Sequence, residues 1–160
     1  IYTVPMEGGE AQRLTTARGI ATQPSWAPNG RQIAFTSTRS GSPQLYMMDA
    51  DGSNVRRVSF DGYFHDESTW AYDGTRIACT TRDEGNFQIA TIDAVTNART
   101  VIQAPGNNES PCFSPEGSMI AFESDRSGSP QIYITDANGV PRQLTTEGSN
   151  HSPTWIGAAK

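Results

Sequence analysis

The chain has 160 residues, a formal net charge of −5, 18% charged residues, 15 glycines and 10 prolines. An acidic surface repels phosphate backbones, which argues against nucleic acid as a partner. No apolar run reaches the roughly 18 residues of a membrane span, so no direct membrane insertion is expected. Its two cysteines, Cys79 and Cys112, are too few for a disulfide scaffold and read as free, packed thiols.

Residues 1–15, IYTVPMEGGEAQRLT, align without a gap on 45–59, LYMMDADGSNVRRVS. They therefore read as the third and fourth strands of a unit whose first two are missing. A complete unit follows. PSWAP is its first strand, and the Asn29-Gly30 turn leads into a second, RQIAFTST. A turn rich in Ser, Gly and Pro precedes the third strand, QLYMMDA; DGS is another hairpin turn, and VRRVSF is the fourth strand. The pattern then recurs. Trp26 returns as Trp70, Phe113 and Trp155, at spacings of 44, 43 and 42 residues. Asn29-Gly30, Asp73-Gly74 and Glu116-Gly117 keep step, as do Gln44, Gln88 and Gln131. The middle copy drifts most: Cys79 stands where Phe35 and Phe122 stand, and Ala90 where Tyr46 and Tyr133 stand. PTWIG at 153–157 reads as one more first strand, which brings the expected inventory to fifteen.

Four short strands per unit of about 42–44 residues, with no amphipathic helix, predict an all-β fold of propeller blades, each of four antiparallel strands. The chain holds about 3.7 such repeats and is read as one β-propeller region over 1–160. Blades fall at about 1–23 (partial), 24–67, 68–110 and 111–152, with a closing first strand in 153–160. A terminal first strand beside the opening third strand would run in the wrong direction for an antiparallel ladder. The expectation is a partial propeller, or one completed by a second copy as a homo-oligomer.

WAPNGRQIAFTSTRSGSPQLYMMDADG and FSPEGSMIAFESDRSGSPQIYITDANG resemble the WD40-like repeat of the TolB family. The resemblance covers essentially the whole chain. It implies a periplasmic propeller with no catalytic residues and no cofactor, which receives a lipoprotein partner, Pal, at the loop-bearing end of its channel. Propellers with the same repeat also precede serine peptidases, so a substrate-gating domain and a self-associating half-propeller are the alternatives.

No nucleophile elbow, zinc motif or P-loop occurs in the chain. DADGSN at 49–54 resembles the start of a calcium loop but lacks the distant Glu, and reads as a hairpin turn. Arg39 and Arg126, in the repeated RSG, read as turn contacts. The segments entering each first strand vary while the scaffold repeats, a common design for a binding surface. Four positions upstream of each core aromatic stand Thr22, Asp66, Glu109 and His151, flanked by Gln23, His65, Glu67, Ser68, Asn107, Asn108, Ser110 and Asn150. By the resemblance these twelve are the candidate partner-binding residues. The carboxylates and histidines among them lack metal-ligand spacing, so no metal is expected.

Overall fold

The structure, a computed structural model, describes residues 1–136 and 139–156. It opens with a two-stranded hairpin, β1 (Tyr2–Thr3) and β2 (Gln12–Arg13). Three four-stranded antiparallel sheets follow, each laid out in chain order. The first sheet holds β3 (Ala21–Trp26), β4 (Gln32–Ser37), β5 (Gln44–Asp49) and β6 (Arg56–Arg57). The middle sheet holds β7 (His65–Trp70), β8 (Arg76–Asp83), β9 (Asn86–Asp93) and β10 (Arg99–Ile102). The third holds β11 (Asn108–Phe113), β12 (Ile120–Ser124), β13 (Gln131–Thr135) and β14 (Arg142–Gln143).

Repetition reaches down to register. Tyr2 faces Arg13 as Tyr46 faces Arg57 and Tyr133 faces Gln143. The opening hairpin is thus paired as a third and fourth strand, as its alignment with 45–59 requires. Asn29 Oδ1 accepts the Arg31 N–H and Asp73 Oδ1 the Thr75 N–H, each 2.9 Å, which folds the first turn of the first and middle sheets. Gly30 and Gly74 occupy φ values of 69° and 71° there, a conformation that costs glycine least.

The sheets pack face to face, so the middle strands are covered on both sides. This is why β4, β5, β8 and β9 carry runs of buried residues instead of an alternation. Ile1 and Leu14 of the hairpin cover Ile33, Phe35, Tyr46 and Met48. Leu45, Met47 and Val58 meet Trp70, Ile77, Cys79 and Ile92 across the next interface. Ala78, Ile89 and Ile102 meet Phe113, Ile120, Phe122 and Tyr133 across the last. Each fully buried aliphatic or aromatic side chain contributes about 1.5–3 kcal/mol.

Two expectations change. The repeat makes Trp26 a core aromatic like Trp70, yet Trp26 is 50% exposed, whereas Trp70 is 7% exposed. Trp70 lies against an inner strand, and its Nε1–H donates to Ser25 O at 3.1 Å. The hairpin in front of Trp26 has no inner strand to offer. Residues 153–156 form no ladder, and 157–160 lie outside the described residues, so fourteen strands are seen among the described residues where fifteen were expected. Trp155 nevertheless repeats the inner-strand contact, its Nε1–H donating to Cys112 O at 3.1 Å.

Candidate functional site

The loop-bearing ends of β3, β7 and β11 share one irregularity. Each ladder to the second strand slips, between Thr22 and Ser25, Asp66 and Thr69, and Glu109 and Cys112. At the slip sits a non-glycine residue with positive φ: Gln23 at 49°, Glu67 at 53° and Ser110 at 54°, joined by Ser152 at 46°. A β-bulge of this kind bends the strand and re-aims its side chains. A left-handed non-glycine residue costs on the order of 1–3 kcal/mol and persists only where its surroundings hold it.

Neighbouring units supply that hold. Gln23 Oε1 accepts the Glu67 N–H at 2.6 Å. Glu67 Oε2 in turn accepts the Ser110 N–H at 2.9 Å and the Thr80 hydroxyl at 2.6 Å. Glu123 Oε2 accepts the Ser152 N–H at 2.9 Å, and its Oε1 stands 3.4 Å from His151 Nδ1. Gln23, Glu67 and Ser110 are therefore stitched side by side at the loop-bearing end of β3, β7 and β11, the mouth of any channel these strands line, with Thr22, Asp66 and Glu109 one position before them. Burial first, and then Glu67, Glu123 and Asp125, raise the Glu109 carboxyl above its ordinary range. Asp66 Oδ1 and Ser68 Oγ are buried atoms without a hydrogen-bond partner.

Not all twelve candidates face outward. Thr22, Gln23 and His151 are exposed; Asp66, Glu67, Ser68, Asn107, Glu109, Ser110 and Asn150 are half-buried. His65 and Asn108 are fully buried, and their side chains are out of a partner's reach. They belong to a column, with Asn150, that clamps the connecting loops. Asn108 Nδ2 donates to Gln88 Oε1 and Gly106 O, each 3.2 Å, and its Oδ1 accepts from Arg126 at 2.6 Å. Asn150 Nδ2 reaches Gln131 Oε1 at 3.0 Å. The repeated Gln44, Gln88 and Gln131 complete the clamp by donating to Gly62, Gly106 and Gly148 carbonyls. Asn107 caps a turn instead, its N–H and Nδ2 both donating to Asp125.

Sequence reasoning missed two residues of this face. Tyr63 is 87% exposed beside the mouth-forming strand, and an aromatic inside the polar loop DGYFHDES was the available signal. Glu123 sits on a second strand, where only its match to Thr36 and Thr80 would have shown it. A cavity of about 360 Å³ opens at the opposite end of the inner strands, lined by Trp26, Trp70, Tyr72, Phe113 and Trp155. It lies among the residues that stack the sheets and shares none of the candidates.

The chain matches the family model described as "TolB beta propeller domain" over residues 1–122. It is 40% identical to the Tol-Pal system protein TolB of Bordetella pertussis over 97% of its own length and 36% of that protein's. It is 36% identical to the protein TolB homolog of Chlorobium luteolum, covering 85% of this chain and 31% of the relative. The crystal structure of TolB from Acinetobacter baumannii superimposes with a TM-score of 0.80 at 32% identity, over 91% of this chain and 37% of that one. The chain spans about a third of the length of the curated relatives it matches.

Proposed function

The chain belongs to the TolB beta propeller domain family, and from that premise we propose that it is a non-catalytic, periplasmic protein-interaction module that binds a Pal-like lipoprotein at the loop-bearing end of its channel. Its blades are taken to fall at about 24–67, 68–110 and 111–152, after a partial blade at about 1–23 and before a closing first strand in 153–160. The observation that carries this reading is the stitched mouth. Variable polar side chains stand on bulged inner strands, and each strand is held by its neighbour through Gln23, Glu67 and Glu123. Such a surface is rigid before a partner arrives, so binding requires little ordering. The half-buried carboxylates Asp66, Glu67 and Glu109 offer acceptors for a partner's N–H, hydroxyl or cationic groups. The names of the similar proteins, which place them in a Tol-Pal system, support the choice of partner.

A pull-down with a Pal-like lipoprotein tests the reading. Asp66→Ala and Glu109→Ala are expected to weaken capture about tenfold or more. Undiminished capture by both variants would remove the site, and no capture by the native chain would remove the partner. The proposal includes self-association of the isolated chain, because Trp26 stays half exposed beyond the part of its sheet that the hairpin covers. Light scattering that finds only a 17.3 kDa species would remove that part.

A further inference from the structure

Among the described residues, one buried polar group has no like counterpart at the matching positions of the other units. The column that clamps the connecting loops is filled by amides in the third unit and beyond, Asn108 and Asn150, but by an imidazole in the middle sheet. Amides do not titrate, whereas a histidine does so near neutrality.

His65 is fully buried. The loop at 60–64 folds over it, and a Cβ on Gly62 would stand 3.6 Å from its Cε1. The loop is tied down around the ring: Gly62 O accepts from Gln44 Nε2 at 3.2 Å, and the His65 N–H donates to Pro43 O at 3.0 Å. The Thr81 hydroxyl donates to Phe64 O at 3.1 Å, so toward the 3.2 Å contact with His65 Nε2 it is the acceptor. It also accepts from Arg99 Nη2 at 3.3 Å. This network assigns the ring's single proton to Nε2 and leaves Nδ1 with a lone pair. Nδ1 is buried and has no partner.

The next proton must therefore go to Nδ1. There it would create a buried donor without an acceptor, and a cation beside two guanidiniums. The charged groups around the ring are Arg99 from β10, Arg57 from β6 and Asp61 from the loop. Asp66 follows on the same strand. The neighbouring Cys79 thiol is pushed up to about 12 by burial and stays neutral. One carboxylate on the loop against two guanidiniums leaves the surroundings hostile to a third positive charge. Asn108 has no such vulnerability, since both ends of its amide are satisfied.

We infer that His65 is an acid-sensitive latch: gaining a proton on Nδ1 drives its ring out from beside Arg57 and Arg99 and frees the 60–64 loop. The loop leads directly into Asp66 and Glu67, so the latch would govern one side of the mouth. Only that consequence for a partner rests on the proposed function; the latch stands on the geometry of the loop. Burial, then Arg99 and Arg57, lowers the imidazole from 6.5 to about 4 in the closed state. An open loop carries an ordinary histidine. Opening thus becomes about tenfold easier per pH unit below 6.5 and levels off near 4, about 300-fold in all.

The test is amide hydrogen exchange of the chain alone, corrected for intrinsic rates, followed from pH 7 to pH 4. Protection over 60–66 is expected to fall at least tenfold more than protection over 103–109. His65→Asn, which installs the amide found at Asn108, should make the two loops respond alike. Equal pH responses of the two loops in the native chain would overturn the latch, as would an unchanged acid response in His65→Asn. If that variant does not fold, the native ring's own titration decides. A His65 signal that titrates below about 5 together with shifts in 60–64 supports the latch, and titration without such shifts overturns it.

Discussion

The middle sheet and its two flanking sheets share a backbone but fill their interfaces differently. In the first sheet Phe35 stacks on Tyr46 with centroids 5.9 Å apart, and the Arg39 guanidinium lies 5.2 and 4.8 Å from the two rings. The third sheet repeats this with Phe122, Tyr133 and Arg126, at 6.1, 5.6 and 4.2 Å. In the middle sheet the three positions are Cys79, Ala90 and Asp83. Two rings and a guanidinium are gone, and Arg99 enters from the outermost strand to reach Thr81 beside His65 and Cys79. The lesson is that a repeat constrains backbone and volume, while the chemistry that fills the volume is free to come from another strand. The middle interface buries more polarity: Arg99 Nε and His65 Nδ1 both lack partners there.

Truncation of the buried side chains should separate the sheets most strongly. Phe122→Ala, at a fully buried ring, is expected to cost about 3–5 kcal/mol in urea unfolding. Cys79→Ala, at the matching position, should cost about 1 kcal/mol, because far less volume is lost. Equal costs would mean that the middle interface is packed as tightly as the outer ones.

Acid titration is next in size. The buried ring of His65 is neutral in the fold, with its pKa lowered to about 4 from 6.5. Its contribution is therefore present above pH 6.5 and is lost as pH falls toward 4, amounting to about 3 kcal/mol at most. Unfolding measured at pH 7 and pH 4.5 should show this loss in the native chain and a smaller one in His65→Asn. A smaller effect belongs to the inner aromatics. Trp70→Phe deletes the indole bond to Ser25 O, which Phe113 never makes, and should cost about 1 kcal/mol in the same assay. Tyr63→Ala, at an exposed ring, should leave stability within about 0.5 kcal/mol. It is expected to weaken partner capture if the loop-bearing face is the one used.

The period, the aromatic columns and the half-unit at 1–15 were legible because each is a matter of spacing and strand pattern. The identity of the outward-facing residues was only partly so. A column of polar residues such as His65, Asn108 and Asn150 looks like a solvated rim, and nothing local shows that a loop folds over it. The bulges at Gln23, Glu67 and Ser110 were hidden because nothing local in the sequence marks them; the backbone N–H groups of Glu67 and Ser110 are held by side chains 44 and 43 residues away. Arg99 was invisible for a related reason: it compensates for losses at Cys79 and Ala90, on two other strands. The exposure of Trp26 depends on what stands in front of it, which a repeat pattern does not state.

On the proposed function, the loop-bearing mouth and not the aromatic cavity at the other end meets the partner. Amide protection mapped on the native chain with and without a Pal-like lipoprotein tests it most directly. New protection is expected at residues 22–23, 66–67 and 109–110, with none around Trp26, Tyr72 and Trp155. Protection confined to the aromatic end would contradict the claim.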